Sequence, residues 1–410
     1  MRTGLRNLAN TNVFTALTMA FVVMTFGIKA ITDAVFVAQD IDNVFVSSKY
    51  LTALLACFAA IVSTRGKEAC FTREFSWLLL LFAVFTFISL VEMLVSGVVS
   101  MHVFNELFKL GMPVVFAYFV LNALNFRQIT LCMKLILLVS IAGYLIEVNL
   151  AGATLSDVLD TIDFSASYSP LESSYSAGTS IMLCLFFCYY RKNKICMLLS
   201  VIFCVAVFKR LALVFAIVAV ILPFFVDMKK NVPTKAVGAI TVLFVGATAL
   251  YVWLLLPEQN WLFVKYLGQD QYDFSMGRSM TMNYLLDNGF ASHGFGSASE
   301  VIRAAFGMPF EMDFIKVAIE LTPIATVLLI FVIVRISSCN RWGLFMAIYL
   351  LLNMLTSDSL SSNFSLALFY MSIGCIGDER AQELDSRTRE DAFAKVVQSD
   401  VSRAKGALYE

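Results

Sequence analysis

The stretch ICMLLSVIFCVAVFKRLALVFAIVAVILPFFV, residues 195–226, decides the class of the fold. It consists of two apolar runs, 195–208 and 211–226, separated by Lys209 and Arg210 alone. Each run is long enough, or nearly so, to cross a hydrocarbon core of about 30 Å. A cation at the centre of a membrane helix costs on the order of 3 kcal/mol on insertion scales, falling toward the interface. A close pair therefore calls for solvation, a carboxylate or a bound anion.

The same pattern extends in both directions. Of 410 residues, 59% are hydrophobic, 15% are charged and 37 are phenylalanines spread along the whole chain, more than one soluble core of this length would use. Apolar runs occur at 13–31, 44–63, 76–96, 103–124, 129–150, 177–190, 195–208, 211–226, 236–256, 313–334, 342–356 and 363–376. The expectation is an all-α, polytopic integral membrane protein of about 12 transmembrane helices. The shorter runs need help from their flanks or a locally thin bilayer.

Positive charge sets the orientation. One set of connections carries Arg2 and Arg6, Arg65, Lys67 and Arg73, Arg127, Arg191, Lys192 and Lys194, Lys229, Lys230 and Lys235, then Arg335 and Arg341. The alternate connections 32–43, 97–102, 150–177 and 357–362 contain no Lys or Arg. The first set is expected in the cytoplasm together with both termini, and Lys209 and Arg210 then face outward, against the rule. No cleavable signal peptide is expected, since the first apolar run is long and no small-residue cleavage site follows it. All nine cysteines fall in spans or on the cytoplasmic side, so neither an external disulfide nor a metal site is expected. Formal charge is zero, and nothing calls for a nucleic-acid partner.

Two outward segments exceed a simple connection. In 150–177, Leu155, Val158, Leu159 and Ile162 recur at helical spacing, which predicts an interfacial amphipathic helix before a Ser-rich loop. In 257–312, the largest extramembrane segment, short helices are predicted over Gly277 to Leu286 and Ser297 to Phe306 around the Gly-rich HGFGSAS. The division is thus one transmembrane domain, 1–376, and a charged cytoplasmic tail, 377–410.

The candidate chemistry lies on the outward side. Lys209 and Arg210 are the first candidates to bind an anion, with snorkelling to headgroups as the plain alternative. Arg278 follows the permissive Gly277 in the first turn of a predicted helix, whose free amides add to its attraction for phosphate. Arg303 is a further cation of that loop, and His293 can act as acid, base or donor. Asp313, Lys316 and Glu320 share one face of the tenth helix, where an internal ion pair is the competing role. Glu172 and Asp358 flank the same side. Cations there suit the diphosphate of a lipid-linked substrate and the charge that develops as it leaves, while a carboxylate or histidine takes the proton of an attacking hydroxyl.

The arrangement over about 165–335 resembles the O-antigen polymerase family, Wzy, within the polymerase and O-antigen ligase superfamily. The residues that carry it are SYSPLESSYSAG, the basic pair in FKRLAL, GRSMTMNYLLDNGFASHGFG and MDFIKVAIELTPIATVLL. Arg278 and Gly289 also match the Arg-x10-Gly pattern of the large periplasmic loop in such polymerases. The companion pattern of the earlier loop is missing, since 150–177 has no arginine, and Arg210 is the available replacement. The His-Asn-Asp of ligases is absent; Glu311, Met312 and Asp313 stand there instead.

The resemblance implies a GT-C-like glycosyltransferase of the bacterial inner membrane. It would join undecaprenyl-diphosphate-linked oligosaccharides, as donor and acceptor, on the periplasmic side without metal or nucleotide sugar. A polysaccharide co-polymerase that regulates chain length is the implied partner. In this reading Lys209, Arg210, Arg278 and Arg303 bind the diphosphate, and the catalytic acid or base is among Glu320, Asp313, Glu172 and His293. The alternatives are an O-antigen ligase and a lipid-linked oligosaccharide flippase.

Overall fold

A computed structural model of the chain describes residues 13–37, 44–64, 71–150, 152, 174–191 and 193–378. The amphipathic helix expected near 155–162, Glu172 and the tail from 379 lie outside the described residues. Every regular element among the described residues is helical. Long helices α1 (Val13–Thr32, prolonged by a π-helical turn Asp33–Val37), α2 (Ser48–Ser63), α3 (Thr72–Ser96), α4 (Met101–Ala123) and α5 (Phe126–Leu150) come first. The shorter α6 (Ser174–Tyr189), α7 (Lys194–Val207) and α8 (Arg210–Ile221) follow, and α9 (Thr234–Leu254) is long again. The segment beyond α9 holds α10 (Asn260–Leu267), α11 (Gln271–Ser275), α12 (Arg278–Asp287) and α13 (Ser297–Phe306). The chain returns through α14 (Asp313–Glu320), α15 (Pro323–Ser337), α16 (Arg341–Thr356) and α17, over 363–378.

Six of these, α1 to α5 and α9, are long and apolar enough to cross a membrane, and α6, α7, α8, α15 and α16 are shorter apolar helices. The long helices expose large apolar side chains such as Phe58, Phe87, Leu94 and Val242, between 65% and 82% accessible. Helices of a water-soluble bundle would hide such residues, whereas lipid solvates them. The short α6 and α17 are buried around almost their whole circumference, apolar residues and small hydroxyls such as Ser180 and Ser372 alike, so they form the centre. There α6 and α17 approach so closely at Gly178 that an added Cβ would collide with Ser365. Small residues at such crossings let backbones pack where no hydrophobic effect drives them together.

Local signals start the helices where the apolar runs begin. Ser100 caps α4 through the His102 amide at 3.1 Å, and Asn340 caps α16 through the Gly343 amide at 2.8 Å. Asn125 and Gln128 form a reciprocal capping box at α5, with bonds of 2.9 and 3.0 Å. One expected run is corrected: 313–334 is not a single helix but α14 and α15, broken at Leu321 and Thr322. Pro323 lacks an N–H and disfavours helical geometry at its predecessor, so Thr322 is extended (φ −166°) and its hydroxyl caps Ala325 at 3.0 Å.

The two ends of the bundle differ in character. At one end the Lys- and Arg-bearing connections meet: Arg341 and Trp342 donate their amides to the carbonyls of Lys230 and Met228, each at 3.1 Å, and Asn340 reaches the Tyr189 hydroxyl at 3.1 Å. At the opposite end, the segment 257–312 folds over the bundle with a small core of its own, in which Met282, Leu285, Ala298 and Ile302 pack with Leu255, Met312 and Ile315.

Candidate functional site

Lys316 is the hub of that second end. It is fully buried on α14, with Nζ 3.4 Å from Asp358 Oδ1, 3.7 Å from Glu106 Oε2 and 5.1 Å from the centre of the Phe295 ring. An ammonium is kept charged at such a place only by close carboxylates. Glu106, on α4, also holds Lys109 Nζ at 2.6 Å. Ser361 Oγ lies 2.9 Å from both Glu106 Oε2 and Asp358 Oδ1, so its single proton is shared between them.

The two other charges of α14 face backbone. Asp313 Oδ2 accepts the amides of Ser359 at 2.7 Å and Leu360 at 3.0 Å, which fastens the 357–362 connection. Glu320 accepts Gly296 N and Ala298 N, each at 2.7 Å and each on a different oxygen. These charge-assisted bonds seat the Gly-rich turn of the large segment on the bundle. Gly296 is required there: its φ is +102°, and a Cβ would lie 2.6 Å from Glu106 Cγ. Phe295 N donates to Ser89 Oγ at 3.1 Å, and Ser292 Oγ donates to the Glu320 carbonyl at 2.6 Å. At the rim, Glu300 bonds His293 Nε2 at 3.1 Å and Ser100 Oγ at 3.0 Å. Partial burial pushes the Glu300 carboxyl up, but the bonds from His293 and Ser100 outweigh it and hold it below its ordinary value.

A second polar cluster adjoins the hub. Asp33 pairs with Lys29 and, at 3.8 Å, with Lys49. Asn363, at the start of α17, donates to the Tyr50 hydroxyl at 3.2 Å. Between Lys29, Tyr175 and residues 361–365 lies a cavity of about 60 Å³, and Ser361 of its wall is the same serine that touches Glu106 and Asp358. Lys29, Lys49, Lys109 and Lys316 thus gather at the end covered by the segment 257–312. Sequence reasoning found Lys316 alone of the four. The others sit singly inside apolar runs, and the available signal was a carboxylate one turn away: Asp33 four residues after Lys29, and Glu106 three before Lys109.

The remaining expected residues are dispersed. Lys209 and Arg210 stand at the turn between α7 and α8, where Phe208 is left-handed (φ +55°) and Lys209 is the extended residue before α8. Arg278 opens α12 as expected, but its guanidinium is turned inward: Nη2 pairs with Glu311 at 2.6 Å, Nη1 bonds the Ser275 carbonyl at 3.1 Å, and Nε is buried without a hydrogen-bond partner among the described residues. Gly289 closes the same helix in a left-handed Schellman turn, with Phe290 N bonded to the Leu285 carbonyl at 3.0 Å and Gly289 N to that of Leu286 at 3.2 Å. The Arg-x10-Gly spacing is therefore the length of one short helix, from first residue to C-terminal turn. Arg303 is exposed on α13. The structure brings Asp313, Glu320 and Asp358 around Lys316, whereas His293 pairs with Glu300 and Arg278 with Glu311. Among the described residues no three His, Cys, Asp or Glu side chains form a metal-binding group. No family model, curated protein or solved structure matches the chain.

Proposed function

We propose that the protein is a polysaccharide polymerase of the O-antigen or capsule type, a membrane glycosyltransferase that joins repeat units carried on undecaprenyl diphosphate. The observation that carries the reading is the gathering of lysines, Lys49 and Lys316 buried and Lys29 and Lys109 half-buried, at the end opposite the Lys- and Arg-rich connections, under a folded extramembrane segment. In this reading the Lys- and Arg-rich end and both termini are cytoplasmic and the cluster is periplasmic in the bacterial inner membrane. All of the apolar helices cross, α14 and α15 making one broken passage in a GT-C-like fold. The 14 residues of α7 span about 21 Å, so the bilayer is locally thin or the flanks extend it.

Chemically, the acceptor hydroxyl oxygen bonds to the anomeric carbon of the donor sugar. The bond from that carbon to the diphosphate oxygen breaks, its electron pair leaves on the diphosphate, and the hydroxyl proton passes to a base. Lys209 and Arg210, adjacent at the α7–α8 turn, are the proposed diphosphate contacts that stabilise the leaving charge, and Arg278 and Arg303 join them only if the large segment moves, Arg278 giving up Glu311. Of the four candidate bases, His293 has the strongest case. With Nε2 donating to Glu300, Nδ1 keeps its lone pair for the proton. Glu320 and Asp313 are fully buried, Glu320 with both oxygens and Asp313 with one on backbone amides, so these two act by positioning. A chain-length regulator is the proposed partner.

The test is the lipid-linked product in a deletion strain carrying Arg210→Ala or Arg278→Ala. The expected result is normal protein level with a single repeat unit on the carrier lipid. Normal long-chain polymer in both variants would overturn the assignment, and long polymer stranded on undecaprenyl diphosphate would identify a ligase.

A further inference from the structure

At the Lys- and Arg-rich end, α5 and the turn between α6 and α7 enclose a groove of about 330 Å³. Its polar wall is Arg127, Thr130, Lys134 and Asn193, and Phe126 and Tyr190 close it with rings 4.7 Å apart. Arg127, Thr130 and Lys134 recur at i, i+3 and i+7, so they share one face of α5. The helical rise puts Lys134 about 10 Å deeper than Arg127. Neither cation has a carboxylate partner among the described residues. A lone ammonium within an apolar helix is costly, and its stem reaches toward the interface.

Beyond the groove the wall turns apolar. Leu138 continues the Lys134 face one turn deeper and is 55% exposed. Two cations without a carboxylate partner among the described residues, aromatic rings at the same level and the exposed Leu138 below them match the two halves of a phospholipid. We propose that this groove binds an anionic phospholipid from the leaflet at the Lys- and Arg-rich end, with its phosphate between Arg127 and Lys134 and an acyl chain along Leu138. The proposal is independent of the glycosyl-transfer reading, which concerns the other end of the bundle.

The test uses the purified full-length protein in mixed micelles, with bound lipid counted by native mass spectrometry. Phosphatidylglycerol is titrated against phosphatidylcholine, and inorganic phosphate is added as competitor. Each cation near an anionic headgroup contributes about five-fold in affinity, so Arg127→Gln with Lys134→Gln weakens phosphatidylglycerol binding about thirty-fold and leaves phosphatidylcholine unchanged. Thr130→Phe keeps both charges but fills the groove, and it also displaces phosphatidylglycerol. Equal binding of the two lipids by the parent overturns the proposal. So does full competition by inorganic phosphate, which would make this a free-anion site. Parental phosphatidylglycerol affinity in a double variant that elutes as folded protein overturns it too; if that variant does not fold, parental affinity in Thr130→Phe decides the same way.

Discussion

Lys316→Met removes the hub ammonium while keeping a side chain of similar length. Glu106 then retains Lys109 at 2.6 Å and the shared Ser361 hydroxyl, but Asp358 keeps only that hydroxyl. Stripping one partner from a buried ion pair costs about 3–5 kcal/mol, because the other charge is left in a medium that solvates it poorly. The Asp358 side chain is 16% exposed and Glu106 keeps a cation, so the lower figure, about 3 kcal/mol, is expected. Adding Asp358→Asn removes the orphaned charge, and the double variant is more stable than the sum of single effects by about 1–3 kcal/mol. The assay is equilibrium unfolding of detergent-solubilised protein in SDS-containing mixed micelles, run as a double-mutant cycle. A Lys316→Met protein within about 0.5 kcal/mol of the parent, or strictly additive substitutions, would refute the hub.

Three further outcomes follow from the docking of the Gly-rich turn. Gly296→Ala meets both a left-handed backbone and the Glu106 side chain, and it destabilises by about 2–3 kcal/mol, read as faster proteolysis within 288–300. Glu320→Gln presents an NH2 group to one of two backbone amides and releases the same turn, at a cost of about 2 kcal/mol, measured in the same way. Glu300 contributes to docking fully above its ordinary value of 4.5, and the contribution is lost as pH falls through its lower folded value. Pepsin cleavage of the turn therefore rises on going from about pH 5 to about pH 3, and Glu300→Gln cuts more readily than the parent at the upper end and responds less to acid; identical profiles would rule out the contact.

Much of the helix plan was written in the apolar runs, because a lipid-facing or fully buried helix needs an unbroken apolar stretch and nothing subtler. Two of the four short helices of the large segment, α12 and α13, were equally legible, since Gly277, Gly289, Gly296 and Gly307 mark their ends with positive φ, whereas α10 and α11 were not expected. The break between α14 and α15 was hidden because the run stays apolar through Leu321; the sign of it was Thr322 before Pro323. The charged face of Asp313, Lys316 and Glu320 was read correctly as a face, but its partners were not. Glu106, Ser361 and the Gly296 amide arrive from three other parts of the chain, and no local spacing announces them. Lys29, Lys49 and Lys109 were overlooked for the opposite reason: counting charges in connections ignores charges inside helices. Arg278 was found by its motif, yet its ion pair with Glu311 depends on how 307–312 folds back, which the motif does not encode.

The central claim is glycosyl transfer between lipid-linked oligosaccharides, and reconstitution tests it most directly. Purified full-length protein in vesicles, supplied with an undecaprenyl-diphosphate-linked repeat unit, should convert it to a ladder of products that differ by one repeat. Substrate that crosses the vesicle membrane without growing, or that remains a single unit while the protein is folded, would contradict the account.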